Sequence, residues 1–195
     1  MKLIAHRGIW NKDIKDNSYK ALKSGLESTK YIGIECDIRT TKDKRFIIYH
    51  NLLYKGNLVS NTYYKNMKDI LLLEDLLKID TNKILLLEIK ETNINKTKLL
   101  KLLNKYKRNY YIMSFNTKVI TDLKEINNKY KYGILNYVLN SDSDYDLDFI
   151  CLLSSVATNK VIDSFSKKGI EVIIYGTNKV KKDVKYIVDD IKMVK

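Results

Sequence analysis

A repeated alternation of short apolar segments with helix-like segments is the feature that most constrains the fold of this chain. Most of these apolar segments are continuous, as expected for strands of a parallel sheet that is covered on both faces. We therefore predict eight strands. They are KLIAH (2–6), IGIECDI (32–38), RFIIYH (45–50), ILLLEI (84–89), YYIMS (110–114), YGILN (132–136), FICLLS (149–154) and EVIIYG (171–176).

Segments with helical spacing of apolar residues fall between these strands. The first predicted helix has Asn17 or Ser18 as its N-cap, because both side chains accept hydrogen bonds from free backbone N–H groups. The predicted helices cover residues 17–29, 73–79, 94–106, 116–129, 158–169 and 181–194.

Eight strands with interleaved helices predict an α/β fold, a compact TIM (β/α)8 barrel. The connection RTTKDK (39–44) is too short for a crossover helix, so the helix between strands two and three is missing or reduced, or these strands form an antiparallel hairpin. A doubly wound open sheet is the competing fold. No Pro-rich, Gly-rich or Ser-rich linker divides the chain, and residues 1–195 are expected to form a single domain.

The composition is that of a globular protein, with 45% hydrophobic residues. No apolar run approaches the length of a membrane span, and the apolar part of MKLIAHRG is too short for a signal peptide, so we expect a cytoplasmic protein. Cys36 and Cys151 lie in apolar surroundings without metal-type spacing, and they are expected to be reduced, buried thiols.

The net charge of +13 predicts a solvated lysine surface. Only four of the 36 basic residues are arginines, and no nucleic-acid-binding motif is present, so no nucleic-acid partner is expected. An anionic substrate or an anionic membrane surface would be attracted by the same charge.

Polar side chains cluster at the carboxyl ends of the first four predicted strands. In a barrel these ends meet at one mouth, where active sites lie. The residues are His6, Arg7, Glu35, Asp37, His50, Glu88 and Lys90.

Glu35 and Asp37 are two residues apart on one strand, so their side chains point to the same side. With Glu88 they would place three carboxylates together, and these would repel one another unless a cation lay between them. An all-oxygen ligand set suits a hard divalent cation, Mg²⁺ or Ca²⁺.

His6 and His50 are candidate general acid and base, because imidazole titrates near neutral pH. Arg7 and Lys90 are cations on the same rim and are candidates for binding a phosphate group. Together with a metal, this combination of residues is typical of phosphodiester chemistry.

The sequence resembles the glycerophosphodiester phosphodiesterase family. The resemblance is carried by AHRG (5–8), DNS (16–18), ECD (35–37), TKD (41–43), HN (50–51) and EIK (88–90), where the family has HRG, ENT, E-x-D, TKD, HD and E-I-K. LLLEDLL (71–77) is similar to a further family segment. Beyond about residue 90 the match is weak.

The resemblance implies a TIM barrel that hydrolyses small-molecule glycerophosphodiesters to sn-glycerol 3-phosphate and an alcohol. It also implies a divalent cation on Glu35, Asp37 and Glu88, acid–base catalysis by His6 and His50, and phosphate binding by Arg7 and Lys90. In the family, the hydroxyl next to the phosphate attacks first, and water then opens the resulting cyclic phosphate.

Asn17 and Asn51 lie next to these residues and are expected to support the site. Asn51 replaces the aspartate of HD, and Asn17 stands in DNS where the family has ENT.

Two alternative functions remain: a phospholipase resembling sphingomyelinase D, which would need a lipid-facing apolar rim, and a non-catalytic barrel that binds a phosphorylated ligand.

Overall fold

A computed structural model describes residues 2–136, 146–177 and 184–189 of the chain. Its strands, in chain order, are β1 (Lys2–His6), β2 (Gly33–Thr40), β3 (Phe46–Ile48), β4 (Leu53–Tyr54), β5 (Asn57–Leu58), β6 (Leu71–Leu72), β7 (Ile84–Ile89), β8 (Asn109–Ser114), β9 (Lys131–Asn136), β10 (Phe149–Leu153), β11 (Glu171–Tyr175) and β12 (Lys185–Val188). The α-helices are α1 (Tyr19–Glu27), α2 (Leu73–Leu77), α3 (Lys96–Asn104), α4 (Thr117–Ile126) and α5 (Asn159–Lys167), and short 3-10 helices cover Val59–Asn61 and Tyr64–Asn66.

Within these residues, eight parallel strands close into a barrel in the order β1, β2, β7, β8, β9, β10, β11, β12. β1 closes the ring because it pairs with both neighbours: Ile4 is in register with Gly33 of β2 and with Ile187 of β12. The predicted (β/α)8 barrel is confirmed, and the doubly wound open sheet is wrong.

The predicted third barrel strand, residues 45–50, is not part of the ring. β3 pairs antiparallel with β2, with Thr40 opposite Phe46, and its other edge pairs antiparallel with β6. The connection turns at Lys44, whose φ is 59°, and is long enough for a hairpin only. The hairpin alternative is therefore confirmed, and no helix lies between β2 and β3.

The predicted helix over residues 181–194 is wrong for the part that the structure describes. Residues 184–189 contain β12, the eighth barrel strand, in which Tyr186 pairs with Ile174 of β11. Because β3 lies outside the ring, the other predicted strands supply only seven of the eight barrel strands. The position between β11 and β1 is left for an eighth, and the apolar segment 186–188 occupies it. Residues 181–183 and 190–194 lie outside the described residues.

The other five predicted helices are confirmed within a few residues at each end. α1 begins after Ser18, whose hydroxyl oxygen accepts a hydrogen bond from the Ala21 amide. Asn95, Asn116 and Thr158 cap α3, α4 and α5 in the same way. Each of these caps satisfies a backbone donor that the first turn of a helix leaves free.

Apolar side chains fill both sides of the barrel wall. Cys36 points outward and packs with Ile34 and Ile38 against the helices, whereas Cys151 points into the barrel beside Phe149. Both thiols are free and buried, as predicted. Because packed side chains occupy the lower barrel, the space for a ligand lies at the carboxyl ends of the strands.

None of the helices in the described part of the chain has the length and apolarity that a membrane-spanning helix requires.

Candidate active site at the carboxyl ends of the strands

Three buried carboxylates meet at the mouth of the barrel. Glu35 and Asp37 point inward from β2, and Asp37 is in register with Glu88 on β7. One oxygen from each of the three lies within 4.8 Å of the others. Their residues are at most 6% exposed, so water does little to screen their mutual repulsion. The predicted convergence of these three side chains is confirmed as geometry.

Two cations face this cluster. The ammonium of Lys90 lies 2.9 Å from Oδ1 of Asp37 and 2.6 Å from Oε1 of Glu88. Nε of Arg7 lies 3.1 Å from Oδ2 of Asp37. Burial would raise the pKa of Asp37, but the charges of Lys90 and Arg7 outweigh it and lower that pKa. Asp37 is therefore held as a carboxylate.

Among the described residues, no lysine or arginine side chain pairs with Glu35 as Lys90 and Arg7 pair with Asp37. Burial, together with the charge of Asp37, raises the pKa of Glu35 to about 8. Its Oε2 accepts a hydrogen bond from the Arg7 amide at 3.2 Å, whereas its Oε1 is buried and has no hydrogen-bond partner in the part of the chain that the structure describes. An unpartnered buried oxygen beside two further carboxylates fits a hard divalent cation, because all of the donors are oxygens.

The loop after β1 is shaped to approach this cluster. Arg7 and Asn17 adopt left-handed backbone conformations, with φ of 56° and 55°, and the Asn17 amide donates to the Arg7 carbonyl at 3.1 Å. Nδ2 of Asn17 donates to Oδ2 of Asp37 at 2.7 Å, and Nη1 of Arg7 donates to Asp16 at 2.9 Å. Gly8 is required because a Cβ there would lie 2.4 Å from the backbone of α1.

His6 ends β1 at the edge of the cluster. Its Nδ1 is hydrogen-bonded to Oδ1 of Asp189, and its Nε2 lies 3.8 Å from Oε2 of Glu35. Burial would lower the pKa of His6, but the hydrogen bond to Asp189 and the charge of Glu35 outweigh it and raise that pKa. Asp189 was not among the predicted site residues, because its segment was assigned to a helix. An acid directly after the apolar run YIV (186–188) was the available signal.

His50 reaches the mouth through the antiparallel hairpin and not as the end of a barrel strand. The hairpin folds β3 back so that the Tyr49 amide donates to the Asp37 carbonyl at 2.9 Å. Nε of Arg39, a buried residue that was also not predicted, donates to the His50 carbonyl at 3.0 Å, and its Nη1 donates to Glu91 at 3.2 Å. Nδ1 of His50 is 3.0 Å from Oδ1 of Asn51.

A cavity of about 180 Å³ lies between the loop after β1 and the end of β3. It is lined by Arg7, Asp16, Asn17, His50 and Asn51, among others. The structure thus brings His50 and the predicted supporting residues Asn17 and Asn51 beside Arg7. A polar cavity that is lined by the Arg7 guanidinium and the His50 imidazole is suited to binding a small anion.

No protein-family model matches this sequence, and no curated protein matches it. Solved structures do match its fold. A glycerophosphodiester phosphodiesterase from Parabacteroides distasonis gives a TM-score of 0.82 at 19% identity, covering 96% of this chain and 92% of that one. The enzyme of the same name from Thermotoga maritima gives 0.78 at 21% identity, with coverages of 98% and 95%.

An Oleispira antarctica phosphodiesterase, solved in complex with the product sn-glycerol-3-phosphate, gives a TM-score of 0.78 at 16% identity, and the match covers 91% of this chain and 85% of that one. At these identities the likeness concerns the fold. The chain has the closed (β/α)8 barrel of structures named as glycerophosphodiester phosphodiesterases.

Proposed function

We propose that this protein hydrolyses glycerophosphodiesters to sn-glycerol 3-phosphate and an alcohol. The observation that carries this proposal is the buried cluster of Glu35, Asp37 and Glu88 beside Arg7 and Lys90. The structural neighbours support it, because they are named for this activity and one of them holds sn-glycerol-3-phosphate.

Glu35, Asp37 and Glu88 are proposed to hold Mg²⁺ or Ca²⁺. A divalent cation there would offset their repulsion and the charge that develops on the phosphoryl oxygens. Arg7 and Lys90 supply further positive charge at the edge of the cluster and are proposed to contact the phosphate. Asn17 holds Asp37 through its amide hydrogen bond, so the orientation of this carboxylate does not depend on the ligand alone.

His6 and His50 are the proposed acid–base pair. In the first step the substrate hydroxyl next to the phosphate attacks phosphorus, one imidazole takes the hydroxyl proton, and the other protonates the departing alkoxide. In the second step water attacks the cyclic phosphate and the proton transfers reverse. Asp189 and Asn51 engage Nδ1 of His6 and of His50, which leaves each Nε2 to exchange a proton with the substrate.

A metal-titrated activity assay tests the proposal. The purified protein is incubated with glycerophosphocholine, glycerophosphoethanolamine and glycerophosphoglycerol, and released sn-glycerol 3-phosphate is measured. We expect turnover that EDTA abolishes, and a loss of about 10²–10⁴-fold for His6→Ala and for His50→Ala. Lys78→Ala, which changes an exposed residue on α2's carboxyl end, is the control and should retain full activity.

Folded, metal-loaded protein that leaves all three substrates intact would rule out the proposed activity. Binding of glycerophosphocholine without turnover would instead indicate a non-catalytic barrel for phosphorylated ligands.

A further inference from the structure

Large apolar side chains are exposed around the mouth of the barrel. They lie on loops that follow the carboxyl ends of β1, β3 and β8, and each residue is between 40% and 59% exposed. The residues are Trp10, Leu52, Leu53, Leu58, Tyr63 and Phe115. Single exposed apolar residues are ordinary, but a group of them at one end of a molecule marks an interaction surface.

Three of these residues belong to one folded hairpin, residues 52–58, which we call the leucine hairpin. Leu53 of β4 is in register with Leu58 of β5, so their side chains lie on the same face. Lys55 and Gly56 form its tight turn, with φ of 48° and 81°. The exposure of the leucines is therefore a property of an ordered turn and not of a frayed loop.

The base of the leucine hairpin is anchored in the protein. The ring of Tyr54 is buried with Val59, Met67 and Ile70 in a small separate core. The hydroxyl of Tyr49 donates to the Leu53 carbonyl at 3.2 Å. Because His50 comes directly after Tyr49, the leucine hairpin is held next to the proposed active site.

Lysines are interleaved with these apolar side chains. The ammonium of Lys42 lies 4.9 Å from the ring centre of Tyr63, and that of Lys55 lies 5.7 Å from the ring centre of Tyr54. Between residues 51 and 69 the chain has three lysines and a single acid, Asp69. Apolar and aromatic side chains surrounded by lysines are typical of protein surfaces that bind anionic lipid.

We propose that the leucine hairpin, together with Trp10 and Tyr63, docks on an anionic lipid bilayer, with the mouth of the barrel facing the membrane. A bilayer fits better than a second copy of the chain, because two copies would bring the same lysines against each other at a net charge of +13 each. A bilayer can also receive side chains from two separate loops, those that follow β1 and β3, without a matching groove.

Docking would place the mouth over lipid head groups and favour lysophospholipids as substrates. Their free hydroxyl next to the phosphate suits the attack described above. This choice of substrate rests on the proposed function, whereas the docking does not.

Vesicle flotation of the full chain in EDTA tests the docking without turnover. Vesicles are made of phosphatidylglycerol mixed with phosphatidylcholine, or of phosphatidylcholine alone. We expect binding to the anionic vesicles, and a loss of about tenfold or more when Leu53→Ser and Leu58→Ser are combined. Lys55→Glu should weaken binding several-fold, and added salt should weaken it further.

The matched control is Ile126→Ser, which removes an apolar residue that is 54% exposed at the carboxyl end of α4, where the chain returns to the amino end of β9 and so away from the mouth. It should bind like the wild type. Circular dichroism establishes that each variant is folded, and Lys55→Glu, an exposed change in a turn, tests the surface even if the double serine variant does not fold.

Wild-type protein that does not float with the anionic vesicles would overturn the proposal, and so would hairpin variants that bind as well as Ile126→Ser. The proposal would equally be overturned if light scattering showed that the wild type is a dimer and that the double serine variant is a monomer. That result would identify a second copy of the chain as the partner of this surface. Since flotation requires no catalysis, failure of docking is distinguishable from failure of the proposed hydrolysis, and turnover of lysophosphatidylcholine against glycerophosphocholine is measured separately.

Discussion

The ammonium nitrogen of Lys90 lies 2.9 Å from Oδ1 of Asp37, across the pair of neighbouring strands β7 and β2. The Asp37 side chain is 1% exposed and that of Lys90 is 13% exposed, so the pair is largely removed from water. Removing one partner of such a pair leaves the other as an uncompensated buried charge, which is strongly destabilising.

Replacing Lys90 should therefore destabilise the metal-free protein. Lys90→Met is expected to lower the free energy of unfolding in EDTA by about 3–5 kcal/mol, because Asp37 and Glu88 lose the cation between them. Added Mg²⁺ or Ca²⁺ should recover part of this loss. Urea denaturation measures both effects. Lys78→Met, which breaks an exposed ion pair with Asp75, should leave the midpoint nearly unchanged, and an equal effect of the two changes would contradict the prediction.

Glu35 should make the metal-free protein less stable as pH rises. Its pKa in the folded state is about 8, above its ordinary value of 4.5, so between these values the folded state binds more protons than the unfolded state. Stability contributed by the protonated carboxyl is thus present at low pH and is lost as pH rises towards 8. Thermal unfolding in EDTA should show this slope, Glu35→Gln should flatten it, and an unchanged slope in the variant would refute the assignment.

Asp189 should control the protonation of His6. Asp189→Asn is expected to lower the pKa of His6, because the neutral amide no longer stabilises the imidazolium. Proton NMR of the ring resonances in EDTA measures the shift, and the two histidines of the chain are distinguished by a His50→Ala variant. Asp122→Asn, which lies on α4, should leave the His6 titration unchanged.

Arg39 should position His50. Its Nε–H donates to the His50 carbonyl, so Arg39→Met is expected to lower kcat by about tenfold, while KM changes little. The loss is smaller than that expected for removing the imidazole itself, because His50 is misplaced and not absent. Arg45→Met is the control, because the Arg45 side chain is 55% exposed and pairs only with the neighbouring Asp43 among the ion pairs of the described residues. A rise in KM with unchanged kcat would indicate a substrate contact instead.

The alternation of side chains along a strand was sufficient to predict that Glu35 and Asp37 share a face. The convergence of strand ends at the mouth of a barrel then added Glu88. The direct pairing of β2 with β7, which sets Glu88 opposite Asp37, was not predicted, because residues 45–50 were expected to lie between these strands.

The remaining features depend on contacts that a linear sequence does not specify. Residues 45–50 are as apolar as a barrel strand, and only the shortness of the preceding connection reveals the hairpin. The segment at 185–188 has enough polar neighbours to suggest an amphipathic helix, and it is a strand because β1 and β11 offer free edges on both sides. Asp189 was not predicted because its segment was assigned to a helix, and Arg39 was not predicted because its contact with His50 is made to a backbone carbonyl.

The hydrogen bond between His6 and Asp189 joins residues that are 183 positions apart in the chain. During translation, the carboxylates at 35, 37 and 88 leave the ribosome long before Asp189 does. In a nascent chain, these three carboxylates, which are proposed to bind a cation, can therefore come together while His6 still lacks the partner that orients it. If His6 acts as proposed, catalysis begins only when β12 has joined β1, so the timing of activity reports the last step of barrel closure.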